Sequence, residues 1–364
     1  MSARSCTLVL AIAISARAQA QAATVYPQWY LPGAFNWRFD AVYPASARLF
    51  YAFDYGHAIL YETLYVQPDA APDVLEHRRF AFLVDTLLRH PPRLVLDERA
   101  IEPEYAKLAP EAKAMFDWAH VLHRQLYDVW SDERLSDAER DAQVAALLRY
   151  YRSRSDIAFS AKPKSMELME GQRYSLVFRR RYPKFNGLIW AYHWLQVGLY
   201  DALLAGATPA ARDSLVRATA ARFWSMLEDP PRRMPTTMPM TAAIAPRFAA
   251  RYPEAAVIFD NLHAMHDVIS DILSDSTIPR SAKRAAILAA SARYRDDTTS
   301  VESMADWRAM ASQMGADAMG GVAVPSRFAA MRDIACSAIA VIVRLGFTPG
   351  FPGSTEPSIT YIPG

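Results

Sequence analysis

The segment Phe116–His123 has the sequence FDWAHVLH, and Phe259–His266 has the sequence FDNLHAMH. Both follow the pattern F-D-x-x-H-x-x-H, and the match continues without a gap as far as Arg152 and Arg295. Self-similarity at a fixed offset is the mark of an internally repeated unit. The sequence therefore predicts a tandem duplication, in which both copies keep the same polar residues.

Matches further upstream extend this duplication to a whole structural unit. Tyr43-Pro44 pairs with Tyr182-Pro183, and Leu60–Glu62 pairs with Leu199–Asp201, at an offset of 139 residues. The offset becomes 143 after the Pro-Pro-Arg sequence at Pro230–Arg232, so the second copy carries four extra residues there.

Each copy is predicted to contain four helices. Proline followed by an acid, as at Pro110-Glu111, favours a helix start, and Ser136 with Glu139 forms a capping-box pattern. The predicted helices cover about Ala45–Tyr65, Pro72–Arg89, Pro110–Ser131 and Ser136–Ser153, then about 184–205, 208–228, 253–274 and 279–294. Alternation at strand period is scarce, so the predicted fold class is all-α.

The predicted organisation is one helical domain in which the two four-helix units pack about a pseudo-twofold axis. Its segments are a signal peptide at 1–20, repeat 1 at 21–156, a linker at 157–181, repeat 2 at 182–299 and a C-terminal extension at 300–364. The last segment is expected to begin as a helix and to end in a stretch rich in glycine and proline.

The N-terminal residues predict export to the periplasm or medium. Arg4 precedes an apolar run from Cys6 to Ser15, and Ala18–Ala20 matches a signal-peptidase site. Cleavage there removes two arginines and changes the formal charge of +2 to zero. A neutral chain gives no electrostatic case for nucleic acid as a partner. We expect no transmembrane segment in the mature chain.

Two matched helices carry the side chains that favour a metal site. Asp and His three residues apart can both reach one ion from a helix, and a second His follows after three more residues. Glu62 and Asp201, at matched positions of the first helices, could add one carboxylate each. The predicted ligands are Asp117, His120, His123, Asp260, His263, His266, Glu62 and Asp201. In spacing alone, this set resembles the di-iron ligands of ferritin-like bundles.

A structural interpretation accounts for the same residues equally well. The apolar residues of the third helix lie opposite Asp117 and His120, as on an ordinary amphipathic helix with a polar face. His57 and His193 lie on first helices that are apolar on nearly every side, where a hydrogen-bonded core histidine is more common than a ligand. A further hypothesis is that buried acids and histidines of the first helices meet the polar faces of the third helices at one centre.

Two functional hypotheses follow from these patterns. The first is an exported metalloprotein with a mono- or dinuclear site between the repeats, holding iron for oxidative chemistry or zinc for hydrolysis. Haem bound by histidine is left open. The second is a non-catalytic binding or scaffold subunit of a periplasmic assembly, whose exposed aromatics at 26–30 and 35–37 contact a partner. The partner is then a small molecule or a periplasmic protein.

Overall fold

The computed structural model describes residues 38–93 and 98–320. The helices in these residues, in chain order from α1 to α15, are Arg38–Val42, Pro44–Val66, Pro72–Ala81, Pro103–Leu108, Pro110–Ser131, Asp137–Arg152, Met166–Glu170, Val177–Arg181, Pro183–Ala205, Pro209–Met226, Thr241–Ile244, Pro246–Arg251, Pro253–Ser274, Arg280–Arg295 and Met304–Met314. Within the described residues no β-strand forms, and one isolated bridge pairs Lys164 with Val301. The predicted all-α class is confirmed.

The four longest helices all begin with proline in the first turn. These helices are α2, α5, α9 and α13, which start at Pro44, Pro110, Pro183 and Pro253. Proline fixes a helical φ angle and lacks only an N–H that the first turn leaves unpaired in any case. The following helix α6 begins with the predicted capping box, since the Ser136 and Glu139 side chains each accept from the other's backbone N–H.

These four helices form the centre of the molecule. Helix α2 packs on α13, α5 packs on α9, and the pairs α2–α9 and α5–α13 are also in contact. Helices α6, α10 and α14 cover α5, α9 and α13 from outside. Every residue of α9 from Phe185 to Leu203 is buried, so this helix is enclosed on all sides. The ionisable side chains His193 and Asp201 of this helix therefore lie in the interior.

Helices that correspond to each other in the sequence repeat have equal lengths in the structure. Helices α2 and α9 have 23 residues each, α5 and α13 have 22, and α6 and α14 have 16. The hydrogen bonds between the halves are also reciprocal. The Tyr61 hydroxyl donates to the carbonyl of His266, and the Tyr200 hydroxyl donates to the carbonyl of His123.

The eight predicted helices are found in the structure, with one difference of type, and the short helices α1, α4, α11 and α12 were not predicted. The predicted helix Pro72–Arg89 is α-helical only to Ala81 and continues as a π-helical turn over Phe82–Leu87. The predicted linker 157–181 contains α7 and α8, and the extension after 300 begins with α15. The predicted signal peptide, the aromatics at 26–30 and 35–37 and the glycine-rich end lie outside the described residues.

Candidate metal centre

Six of the eight histidines lie together between the four central helices. Each is at most 3 % exposed, whereas the other two, His77 and His90, are exposed on the surface. The buried six are His57, His120, His123, His193, His263 and His266. Their rings contact one another: the centroids of His193 and His263 are 3.9 Å apart, and those of His57 and His266 are 4.2 Å apart.

The first ligand group consists of His57, His193 and His266. One ring nitrogen from each lies within 4.8 Å of the others. His193 Nε2 and His266 Nδ1 are 3.0 Å apart. An ion with bonds of about 2.1 Å separates neighbouring ligand atoms by roughly 3 to 3.5 Å. Burial, reinforced by neighbouring imidazoles, holds the pKa of all three rings well below the usual range. The rings are therefore neutral, which is the form that binds metal.

The second group consists of Asp54, Glu98 and His120, again with ligand atoms within 4.8 Å of one another. His120 Nδ1 lies 3.8 Å from an Asp54 oxygen and 3.7 Å from a Glu98 oxygen. Both distances exceed that of a hydrogen bond. The two groups adjoin, because the His120 ring centroid is 5.6 Å from that of His266 and 6.0 Å from that of His57.

Charged side chains around the second group leave an excess of negative charge. Lys113, only 1 % exposed, forms ion pairs with Glu98, Glu102 and Asp117. Arg124 approaches Asp54 to 3.7 Å. Four carboxylates thus face two cations, a formal balance of −2 before any protonation. Burial raises the pKa of Glu102 well above its usual range, so protonation of Glu102 removes one negative charge, and a bound cation would balance the other.

The pKa values of the two acids in the second group differ in direction. Burial raises the pKa of Asp54 to about 6, although Arg124 and His120 act against it. Burial also acts to raise the pKa of Glu98, but its contacts with Lys113 and His120 outweigh burial and hold the pKa below its usual range. Glu98 is therefore ionised at neutral pH, whereas Asp54 has only the more distant ion pair with Arg124 at 3.7 Å.

Several buried polar atoms of this centre have no hydrogen-bond partner. Among the described residues they include both oxygens of Asp54 and both ring nitrogens of His57 and of His120. One ring nitrogen in each of His123, His193 and His263 also has no hydrogen-bond partner. Buried polar atoms are almost always paired, and each unpaired one costs about 1–3 kcal/mol. The unpaired atoms of Asp54, His57 and His120 belong to the two ligand groups and are free to bind an ion.

His123 and His263 lie beside the two groups, and each is hydrogen bonded through one nitrogen. His123 Nδ1 is 2.8 Å from the Tyr200 hydroxyl, and His263 Nε2 is 3.1 Å from Gln196 Oε1. The ring of His123 also stacks on Phe259 at 3.5 Å. These contacts fix the orientation of both rings next to the ligand groups.

The predicted carboxylates of the first helices accept hydrogen bonds from short helices. Glu62 accepts from the backbone N–H groups of Glu104 and Tyr105, at the start of α4. Asp201 accepts from those of Arg247 and Phe248, at the start of α12. The two carboxylates therefore bind equivalent helix N-termini, which attract negative charge.

The predicted carboxylates of the third helices also have partners outside the two groups. Asp117 forms an ion pair with Lys113, and its side chain is 24 % exposed. Asp260 accepts from the backbone and hydroxyl of Thr241 through one oxygen and from the Trp307 indole through the other. Of the eight predicted ligands, the structure brings His120 and His266 into the two groups.

Four members of these groups were absent from the predicted set: Asp54, His57, His193 and Glu98. A signal for two of them was present, because Asp54 and His57 have the same D-x-x-H spacing as Asp117 and His120. His193 and Glu98 carry no comparable motif. Glu98 opens a single 3₁₀ turn, and only the tertiary fold brings it to His120.

The chain matches no protein-family model, no curated protein and no solved structure. Within the residues that the structure describes, no helix is both long and apolar enough to cross a membrane.

Proposed function

We propose that this protein is a metalloprotein whose buried centre holds two metal ions. In this proposal His57, His193 and His266 bind one ion, and Asp54, Glu98 and His120 bind the other. The proposal rests on two buried groups of three ligand atoms, each within 4.8 Å of one another, in which Asp54, His57 and His120 have no hydrogen-bond partner. A metal ion binds the lone pairs of these nitrogen and oxygen atoms directly, so no hydrogen-bond donor is needed.

The competing interpretation, in which the polar residues have a structural role, applies to other residues of the same helices. Glu62, Asp201, Asp128 and Asp271 all accept backbone hydrogen bonds and link neighbouring segments. Asp54 is as buried as any of these, yet neither of its oxygens has a hydrogen-bond donor. The contrast supports a role for Asp54 that hydrogen bonding does not supply.

The mixture of imidazole and carboxylate ligands supports iron first and zinc second. Imidazole suits iron, zinc and copper, and carboxylates in a dinuclear site suit iron. The histidine rings contact one another, with centroids 3.9 and 4.2 Å apart, which supports ions over a porphyrin plane between them. Every proposed ligand is at most 7 % exposed, so a bulky substrate has no access to the ions. We therefore favour oxidative chemistry with a dioxygen-sized molecule over hydrolysis, with the metal as the redox centre.

We also propose that the centre arose by gene duplication and that its two copies then acquired different ligands. Support comes from the equal helix lengths and from the reciprocal bonds of Tyr61 and Tyr200. The copies differ at the ligands: Asp54 corresponds to His193, and His57 corresponds to Gln196. Two equivalent half-sites would thus have diverged into one centre. We also propose, from residues 1–20, that the protein is exported.

Metal titration of ligand variants tests the proposal. Metal-free protein is titrated with Fe²⁺ under anaerobic conditions and, separately, with Zn²⁺. The test variants are His57→Gln and His193→Gln; glutamine is already accommodated at the buried position 196, which is equivalent to position 57. We expect each to weaken binding at least 10-fold, whereas His77→Ala with His90→Ala, both on the surface, leaves it unchanged. Unchanged affinity in the folded His57→Gln/His193→Gln double variant would overturn the proposed ligand set.

A further inference from the structure

A second site is formed by an open cleft on the protein surface. Its volume is about 560 Å³, within the usual range for small-molecule sites. Its walls come from the segment after α6, from the start of α13 and from the region between the end of α14 and α15. Ala158, Phe159, Ala161, Pro253 and Met304 provide an apolar lining.

The charged side chains of this cleft are mostly basic. Arg152, Lys162, Arg295 and Arg308 face two acids, Glu254 and Asp297. Both acids already have partners, since Glu254 pairs with Arg152 at 3.1 Å and Asp297 accepts from Ser160 at 2.5 Å.

Two of the four basic side chains, Lys162 and Arg308, are available to a ligand. Arg295 is already engaged, because it donates to the carbonyl of Asp156 at 2.7 Å. Within the described chain, the side chains of Lys162 and Arg308 have no hydrogen-bond or ion-pair partner. Two free cations beside an apolar lining suit a molecule with a carboxylate at one end and an apolar body at the other.

The floor of the cleft lies close to the buried histidines. Phe159 is 2 % exposed and stacks on Phe116 with ring centroids 6.3 Å apart. Phe116 in turn lies 4.3 Å from the ring of His266. A ligand in the cleft is therefore separated from His266 by two aromatic rings.

We infer that this cleft binds a small carboxylate with an apolar body, held by Lys162 and Arg308 and packed against the apolar lining. The inference does not depend on metal binding, because the cleft is formed by residues outside the two ligand groups. It adds a site for an organic anion to a protein whose metal centre is closed to large molecules.

Isothermal titration calorimetry of the metal-free protein with 2-naphthoate tests the inference. We expect saturable binding of one equivalent, at least 10-fold weaker in the Lys162→Ala/Arg308→Ala double variant. Both side chains are exposed, so the variant should fold, and circular dichroism checks this. Arg232→Ala is the matched control, since Arg232 is a surface cation outside the cleft whose side chain is 81 % exposed. It should bind as wild type does.

Two further ligands separate the contributions of charge and lining. The neutral 2-naphthamide should bind at least 10-fold more weakly than 2-naphthoate, because it lacks the charge. Inorganic phosphate should also bind more weakly, because it lacks the apolar body. Equal binding of the amide, equal binding of phosphate, or full affinity in the double variant would each refute a carboxylate site.

Discussion

Replacing Asp201 with alanine separates its structural role from the metal-ligand role that sequence spacing predicts for it. The Asp201 side chain is fully buried, and one oxygen accepts from the backbone N–H groups of Arg247 and Phe248 at 2.8 and 3.2 Å. The other oxygen pairs with the Arg247 guanidinium at 3.2 Å, on a side chain that is 53 % exposed. Asp201→Ala therefore leaves two donors at the start of α12 without their acceptor.

The magnitude follows from these two backbone hydrogen bonds. A hydrogen bond to a charged group contributes about 1.5–3 kcal/mol, so two contribute about 3–6 kcal/mol. Burial offsets part of this contribution, and it raises the pKa of Asp201 although its hydrogen bonds act to lower that pKa. We expect a net loss of about 2–4 kcal/mol in the free energy of unfolding, with metal stoichiometry unchanged.

Urea denaturation of the metal-free protein measures the loss, and metal analysis of the loaded protein measures the stoichiometry. The matched control is Asp213→Ala, at a carboxylate whose side chain is 41 % exposed and which should change stability by less than about 0.5 kcal/mol. Loss of bound metal in Asp201→Ala, with stability unchanged, would refute the structural role and restore Asp201 as a ligand.

Two further predictions concern the contacts between the halves and the titration of Asp260. Tyr61→Phe removes the hydrogen bond to the carbonyl of His266, and Tyr200→Phe removes the bonds to both the carbonyl and Nδ1 of His123, so we expect losses in unfolding free energy of about 1 and about 2 kcal/mol in urea denaturation; a smaller loss in Tyr200→Phe than in Tyr61→Phe would contradict this. Burial raises the pKa of Asp260 to about 6, so the folded state binds the proton more tightly than the unfolded state does. Relative to Asp260→Asn, wild type should lose up to about 3 kcal/mol as pH rises from 4 to 7, and a pH-independent difference between them would contradict the raised pKa.

The helices were predictable because their start signals are local. Proline in the first turn and the capping box at Ser136 act within a few residues, so the sequence alone locates them. The π-helical turn over Phe82–Leu87 has no such local signal and was predicted as ordinary helix. Pairing of one segment with another, as between Asp271 and Phe178, depends on the assembled fold.

The candidate centre was only partly predictable for the same reason. The repeated F-D-x-x-H-x-x-H pattern pointed to His120 and His266, which lie in the two ligand groups. Spacing could not show that Glu62 faces the start of α4, since that short helix packs against it only in the folded chain. Glu98 reaches His120 through tertiary structure alone, and no pattern in its own segment marks it.

Elemental analysis of the protein, purified without an affinity metal column, shows most directly whether the buried centre holds metal. We expect two equivalents of metal per chain, iron in preference to zinc, retained through dialysis because the ligands are buried. A well-folded helical protein that contains less than about 0.1 equivalent of any transition metal, and that takes up none when Fe²⁺ or Zn²⁺ is added, would contradict this expectation.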